Sequence, residues 1–232
     1  MPAIVDAAKL LRAGVLEGVT VLVAGAADQR AAAARPAFAA HVASACAALG
    51  ARVQTCSGDA AEAGEADEVG EVGESGAPDA VDRLVVDGAA LFEAGALAAG
   101  TRADGVAAGR EEIARAALRE CLDGAWLVSH AVANAAFIGA RRPGRIVYIA
   151  PASAHGADGL ADAARAGLEN LARTLSVEWA RYDVATATIA PGASTSGEHV
   201  ATLCAYLCSP AGAYFSGCLF DLRGTRAQGG AR

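Results

Sequence analysis

Gly144-Arg145-Ile146-Val147-Tyr148-Ile149-Ala150-Pro151 opens a run of the chain in which the apolar period changes twice. Arg145 to Ile149 lies between Pro143-Gly144 and Pro151 and reads as a buried strand. Leu160, Ala164, Gly167, Leu168, Leu171 and Leu175 then recur at helical spacing. Asp158 near the start and Arg181 near the end suit the dipole of a helix of about five turns. Val184 to Ala190 is a second apolar run, stopped by Pro191-Gly192. Strand, helix and strand in this order make a right-handed parallel crossover, so a parallel α/β sheet is predicted.

Three pieces of this run carry a resemblance: Gly144-Arg145-Ile146-Val147, the helix segment Arg165-Ala166-Gly167-Leu168 through Glu178, and Ala190-Pro191-Gly192. They resemble the second half of a short-chain dehydrogenase/reductase. The resemblance implies a Rossmann-like, doubly wound parallel sheet with helices on both faces, in three layers. It extends over roughly residues 16–225. In that family the strand ends in a catalytic serine, and the helix carries a tyrosine followed four residues later by a lysine. An asparagine in the preceding helix lies three residues before a glycine. The matching positions here hold Pro151, Ala161, Arg165 and Cys121, the last being fixed by Gly124. The frame is kept while the four catalytic groups are absent.

Toward the N-terminus, Ile4, Ala8, Leu11 and Val15 give residues 1–17 an amphipathic opening outside the family frame. Val19 to Ala24 is the first predicted strand and Gly25 begins its turn. A dinucleotide-binding turn uses three glycines so that the backbone can approach the pyrophosphate at a helix N-terminus. Here Gly25 is followed by Ala26, Ala27 and Asp28, with no glycine before Gly50. The Asp28 carboxylate would repel a phosphate, so no cofactor is expected at this turn. The next helix is predicted to start late, near Pro36. Arg52 to Cys56 is the second strand, without an acidic residue to hold a ribose.

Residues 59–80 form an acidic, glycine-punctuated loop. Asp82 to Ala89 reads as a buried strand and turn, aligned with the family's D-x-L-V-N-N-A-G, with Val86 and Asp87 in place of both asparagines. Leu91 to Gly109 carries no periodic signal, whereas Glu111 to Phe137 reads as a long helix. After Gly192 the family inserts a helical lid over the substrate; here Ser194-Thr195-Ser196-Gly197 leads directly into the next helix, so the lid is predicted to be deleted. Val200 to Cys208 and Gly217 to Leu222 match the last helix and strand, and residues 223–232 form a flexible, arginine-bearing tail.

One domain is predicted over residues 1–232, since 54% hydrophobic residues supply a core and 5% aromatic residues make it one of small side chains. The net charge of -7 and the single lysine, Lys9, argue against nucleic acid or an anionic membrane as partner. No apolar run approaches a membrane span, and a cytoplasmic protein is expected. The six cysteines include no C-x-x-C pair; Cys204 and Cys208 share a helix face but read as buried thiols, and no metal is expected.

Hydride transfer needs a proton donor, a fixed cofactor and a dry pocket. Ala161 donates no proton, and Arg165 lacks the geometry of lysine. The resemblance therefore implies a pseudoenzyme: a non-catalytic subunit that binds no cofactor itself. It would pair with a catalytically active relative holding NAD(P), in a heteromeric, heterotetrameric dehydrogenase of the alcohol or 3-hydroxyacyl-CoA type. The inactive subunits of the CoA-thioester dehydrogenase of anaerobic toluene degradation are of this kind, and homo-dimerisation is a further option. Candidate interface anchors are Trp126, Phe137, Leu168, Leu175, Trp179, Leu207 and Phe220. Two alternatives stand beside it. One is an active oxidoreductase using His155, Tyr148 or Tyr182 as acid with Ser153 orienting substrate; the other is a small-molecule sensor in which Arg165 meets an anion.

Overall fold

Six short runs rich in β-branched residues become strands and pair in parallel. The structure, a computed structural model, describes residues 10–25, 38–56, 81–100, 109–152 and 159–223. In chain order its elements are β1 (Thr20–Ala24), α1 (Phe38–Ala48), β2 (Arg52–Cys56), β3 (Arg83–Asp87) and α2 (Gly88–Gly100). There follow α3 (Arg110–Val132), a π-helical turn (Ala133–Ile138), β4 (Gly144–Ile149), α4 (Leu160–Glu178) and a 3-10 turn (Ala180–Tyr182). The chain continues through β5 (Val184–Pro191), α5 (Gly197–Cys208), a second 3-10 turn (Pro210–Tyr214) and β6 (Cys218–Leu222).

The strand order is β2-β1-β3-β4-β5-β6 and every neighbouring pair is parallel. The chain leaves β1 for β2 and then returns past β1 to β3. The order therefore reverses between β1 and β3, and in such sheets the crevice lies at the carboxyl ends of the strands at that point. Successive residues of a strand face opposite sides. Val85 and Val147 meet α1 and α5 in a core with Val42, Cys46, Cys204 and Leu207. Leu84, Val86, Ile146 and Tyr148 face the other way, against Leu91, Ala125, Leu168 and Leu175. The result is the predicted three-layer, doubly wound architecture, and both faces of the sheet are covered.

The differences from the sequence reading are local. Helix α1 is described from Phe38, and Pro36, near which its start is expected from the sequence, lies outside the described residues. The segment that gave no periodic signal is helix α2 as far as Gly100. It packs on α3 through small residues: a Cβ at Gly95 would stand 2.8 Å from the Ala116 carbonyl oxygen and 2.9 Å from the Ala117 Cα. Small side chains leave no hydropathic stripe, which is why the period was silent. The long helix ends in a π-helical turn rather than running evenly to Phe137. β5 passes to α5 through residues 192–196 with no helix between them. The acidic loop of residues 59–80 and residues 1–9 of the N-terminal opening lie outside the described residues.

One expectation needs correcting. Arg110–Ile138, α3 with its π-helical turn, is by length and composition the one helix among the described residues long and apolar enough to cross a membrane. Its alanines raise the average between the charged residues, so no single unbroken run shows it. In the fold, α3 packs against α2 and α4 through Cys121, Ala125 and Leu122.

Candidate functional site

The crevice at the carboxyl ends of the strands is built from the residues that end β1, β3, β4 and β5. Gly25, at the end of β1, has φ +107, a conformation glycine adopts without penalty. A Cβ there would lie 2.8 Å from the Asp87 carbonyl oxygen, so the turn is pressed against the end of β3.

Asp87 is completely buried. As the residue before α2 it occupies a capping position, and its Oδ1 accepts from the Ala90 N–H at 3.1 Å. Its Oδ2 accepts from the Ala39 N–H at the start of α1, at 2.8 Å. Burial raises the carboxyl to about 6, against four backbone N–H groups, from Phe38, Ala39, Ala89 and Ala90, that favour the charged form.

Cys121, at the family's asparagine position, is fully buried on α3. Its thiol donates to the Gly88 carbonyl at 3.2 Å and joins α3 to the start of α2. Burial, and secondarily the neighbouring Asp87, push the thiol up to about 12, so it stays protonated.

Arg165, on the first turns of α4, is 7% exposed. Its Nη1 donates to the Pro151 carbonyl at 2.8 Å and to the Pro191 carbonyl at 2.6 Å, tying the ends of β4 and β5 together. Asp221 of β6 lies 3.9 Å from Nη2 and Asp162 lies 3.8 Å from Nε. Desolvation, then the nearby Arg223, lower its pKa, while both carboxylates oppose the shift. The guanidinium thus bridges three strand ends. Ala161, one turn before it, offers only a methyl group. Arg165 and Pro151 thus meet at one corner of the sheet, while Cys121 is held against Gly88 at the end of β3.

Of the substitute acids, the described ones, Tyr148 and Tyr182, lie elsewhere. Tyr148 is fully buried beneath α3 and shares a 2.8 Å hydrogen bond with Ser129, whose hydroxyl also bonds the Ala125 carbonyl. Burial pushes its phenol well above the ordinary range. Tyr182 follows α4 and precedes β5, at the amino end of the sheet, the pole opposite the crevice. There it lines a cleft of about 420 Å³ with His130, Asn134, Glu178, Trp179 and Arg181. His155, Ser153, Ala26, Ala27, Asp28 and residues 224–232 lie outside the described residues. The anion role suggested for Arg165 conflicts with the two carbonyls and two carboxylates that already surround it.

The interface candidates divide. Phe137, Leu168, Leu175 and Leu207 are core residues of this chain, each at most 1% exposed, and are not available to a partner. Helical period marks a face as buried without saying whether its own subunit or another covers it. Trp126 is 39% exposed and stacks at 6.4 Å on the largely buried Trp179. Phe220 is half-buried on edge strand β6, edge-on to Phe215 at 5.3 Å. Cys204 and Cys208 are free, buried thiols, as is Cys46. Among the described residues no group of three or more His, Cys, Asp or Glu is placed to hold a metal.

Asp87 is the group the sequence reading passed over, registering only a lost asparagine. Its signal was an aspartate at the end of a buried strand, immediately before a segment able to be helical. Among the described residues, the Ala39 N–H at the start of α1, a place where this fold can receive a pyrophosphate, bonds Asp87 instead.

No family model matches the sequence, and no curated protein matches it. Solved structures do. A citronellol catabolism dehydrogenase (AtuB) of Pseudomonas aeruginosa PAO1 is similar over 92% of this chain and 96% of its own, with a TM-score of 0.60 and 24% identity. BdcA (YjgI) from E. coli is similar over 90% of this chain and 100% of its own, with a TM-score of 0.59 and 19% identity. At such identity the likeness shows a shared fold over nearly the whole length of each chain.

Proposed function

We propose that this chain is a non-catalytic, dehydrogenase-like subunit that assembles with a catalytically complete relative and leaves NAD(P) chemistry to that partner. The observation that carries this reading is the catalytic corner: Arg165 bonds the ends of β4 and β5 where a lysine would serve a cofactor, and Ala161 stands where an acid would. A buried guanidinium whose Nη1 donates to the carbonyls at two strand ends is a structural tie. It fixes the strand ends without a ligand, so the fold persists with the chemistry removed.

The outer faces of α3 and α4 would meet the partner, centred on Trp126 and the 77% exposed Val177, with edge strand β6 and Phe220 as a second contact. Aromatic anchors of this kind dominate protein interfaces. Co-expression with the cognate dehydrogenase is predicted to yield an equimolar complex in cytoplasmic extract, with turnover lost when the partner's own acid is removed. A chain that remains monomeric beside that dehydrogenase would refute the assignment.

A further inference from the structure

The crevice holds one charged group for which the loss of catalysis gives no reason. Asp87 is fully buried, and among the described residues no basic side chain lies within 4.0 Å of its carboxylate. The titratable groups facing it are the thiols of Cys121, from α3, and Cys204, from α5. What balances the charge is backbone: one oxygen takes the N–H of Ala90 in α2 and the other that of Ala39 in α1, 48 residues distant in sequence. An aspartate that only capped α2 would need the first of these bonds and not the second. Two helix N-termini therefore converge on one carboxylate, each presenting the positive end of its dipole. The start of the helix after β1 is where a dinucleotide fold receives the pyrophosphate. Gly25 closes over the same group from β1, with space for no Cβ.

We propose that Asp87 is a built-in substitute for the nucleotide phosphate: its carboxylate occupies the anion-binding N–H groups of the crevice and keeps external phosphate out. This rests on the proposed loss of cofactor binding and supplies its physical cause. Three species follow. The parent chain is closed to anions; Asp87→Asn removes the charge while keeping the shape; Asp87→Ala empties the position.

The test is a titration of the three proteins with inorganic phosphate and, separately, with sodium formate, read by thermal midpoint and by calorimetry. Asp87→Ala is expected to be stabilised saturably by formate, which restores the missing carboxylate. Asp87→Asn is expected to bind phosphate at least tenfold more tightly than the parent, whose midpoint stays unmoved beyond the general salt effect. Folding of either variant only when formate or phosphate is present would support the proposal equally. Folded variants that respond to the anions no more than the parent does would overturn it, as would variants that stay unfolded in both. NADH titrated into the parent chain separates the two readings. Uptake there defeats the proposed function itself, whereas no uptake with unresponsive variants defeats only the role given to Asp87.

Discussion

A buried carboxylate leaves its mark on stability through its protonation. Asp87 has a native pKa of about 6 against an ordinary 3.8, so the folded chain holds this proton more firmly than the unfolded chain. The stability linked to this group is full below about 3.8 and is lost as pH rises through about 6. The difference is worth roughly 3 kcal/mol at ~1.4 kcal/mol per unit. Urea denaturation at pH 4.5 and at pH 7 is predicted to differ by about 2 kcal/mol of this in the parent chain, and Asp87→Asn is predicted to lack the difference. Arg165 gives the second prediction at this scale. Arg165→Ala strips the Pro151 and Pro191 carbonyls of their donor and is predicted to cost about 2–4 kcal/mol in denaturant unfolding. Arg165→Lys recovers only part of this, because a single ammonium lacks the reach and planar fork of the guanidinium.

At the scale of elements, the helices pack by closeness rather than bulk. Gly95 and Gly100 lie on the same helix, α2, and separate propensity from packing. Among the described residues nothing stands within 4 Å of a Cβ at Gly100, whereas one at Gly95 would meet the backbone of α3 at 2.8–2.9 Å. Gly100→Ala is predicted to stabilise by about 0.5–1 kcal/mol. Gly95→Ala, the same change five residues earlier, is predicted to destabilise by about 1–3 kcal/mol as α2 and α3 are forced apart. Paired thermal melts decide it, and equal shifts of one sign would show that α2 does not rest on α3 in this way. The same packing explains what the sequence disclosed. The β4-α4-β5 unit was legible because leucines and β-branched residues alternate between two clear periods. Helix α2 was not, since alanine and glycine pack closely without hydropathic contrast. That alanine stands at the position of the family's tyrosine was readable from the residue type of Ala161 alone. The bonds of Arg165 and Asp87 were not, because both run to carbonyl and N–H groups that one side chain finds only after the sheet has assembled.

For the whole molecule, the proposed subunit role would be exerted on the outer faces of α3 and α4. Trp126 and Val177 project from α3 and α4 with 39% and 77% exposure, while the residues beneath them are core. Val177→Glu is predicted to leave the melting temperature within about 2 °C, since surface changes rarely exceed ~0.5 kcal/mol, and adding Trp126→Glu to lower it by a few degrees more through loss of the stack on Trp179. The same pair is predicted to abolish co-purification with the partner dehydrogenase. The central claim is tested most directly by calorimetric titration of NADH and NADPH into the purified chain, alone and in complex with that partner. The account predicts no heat of binding with the chain alone, and saturation at half the subunits in the complex. Saturable binding by the isolated chain would contradict it.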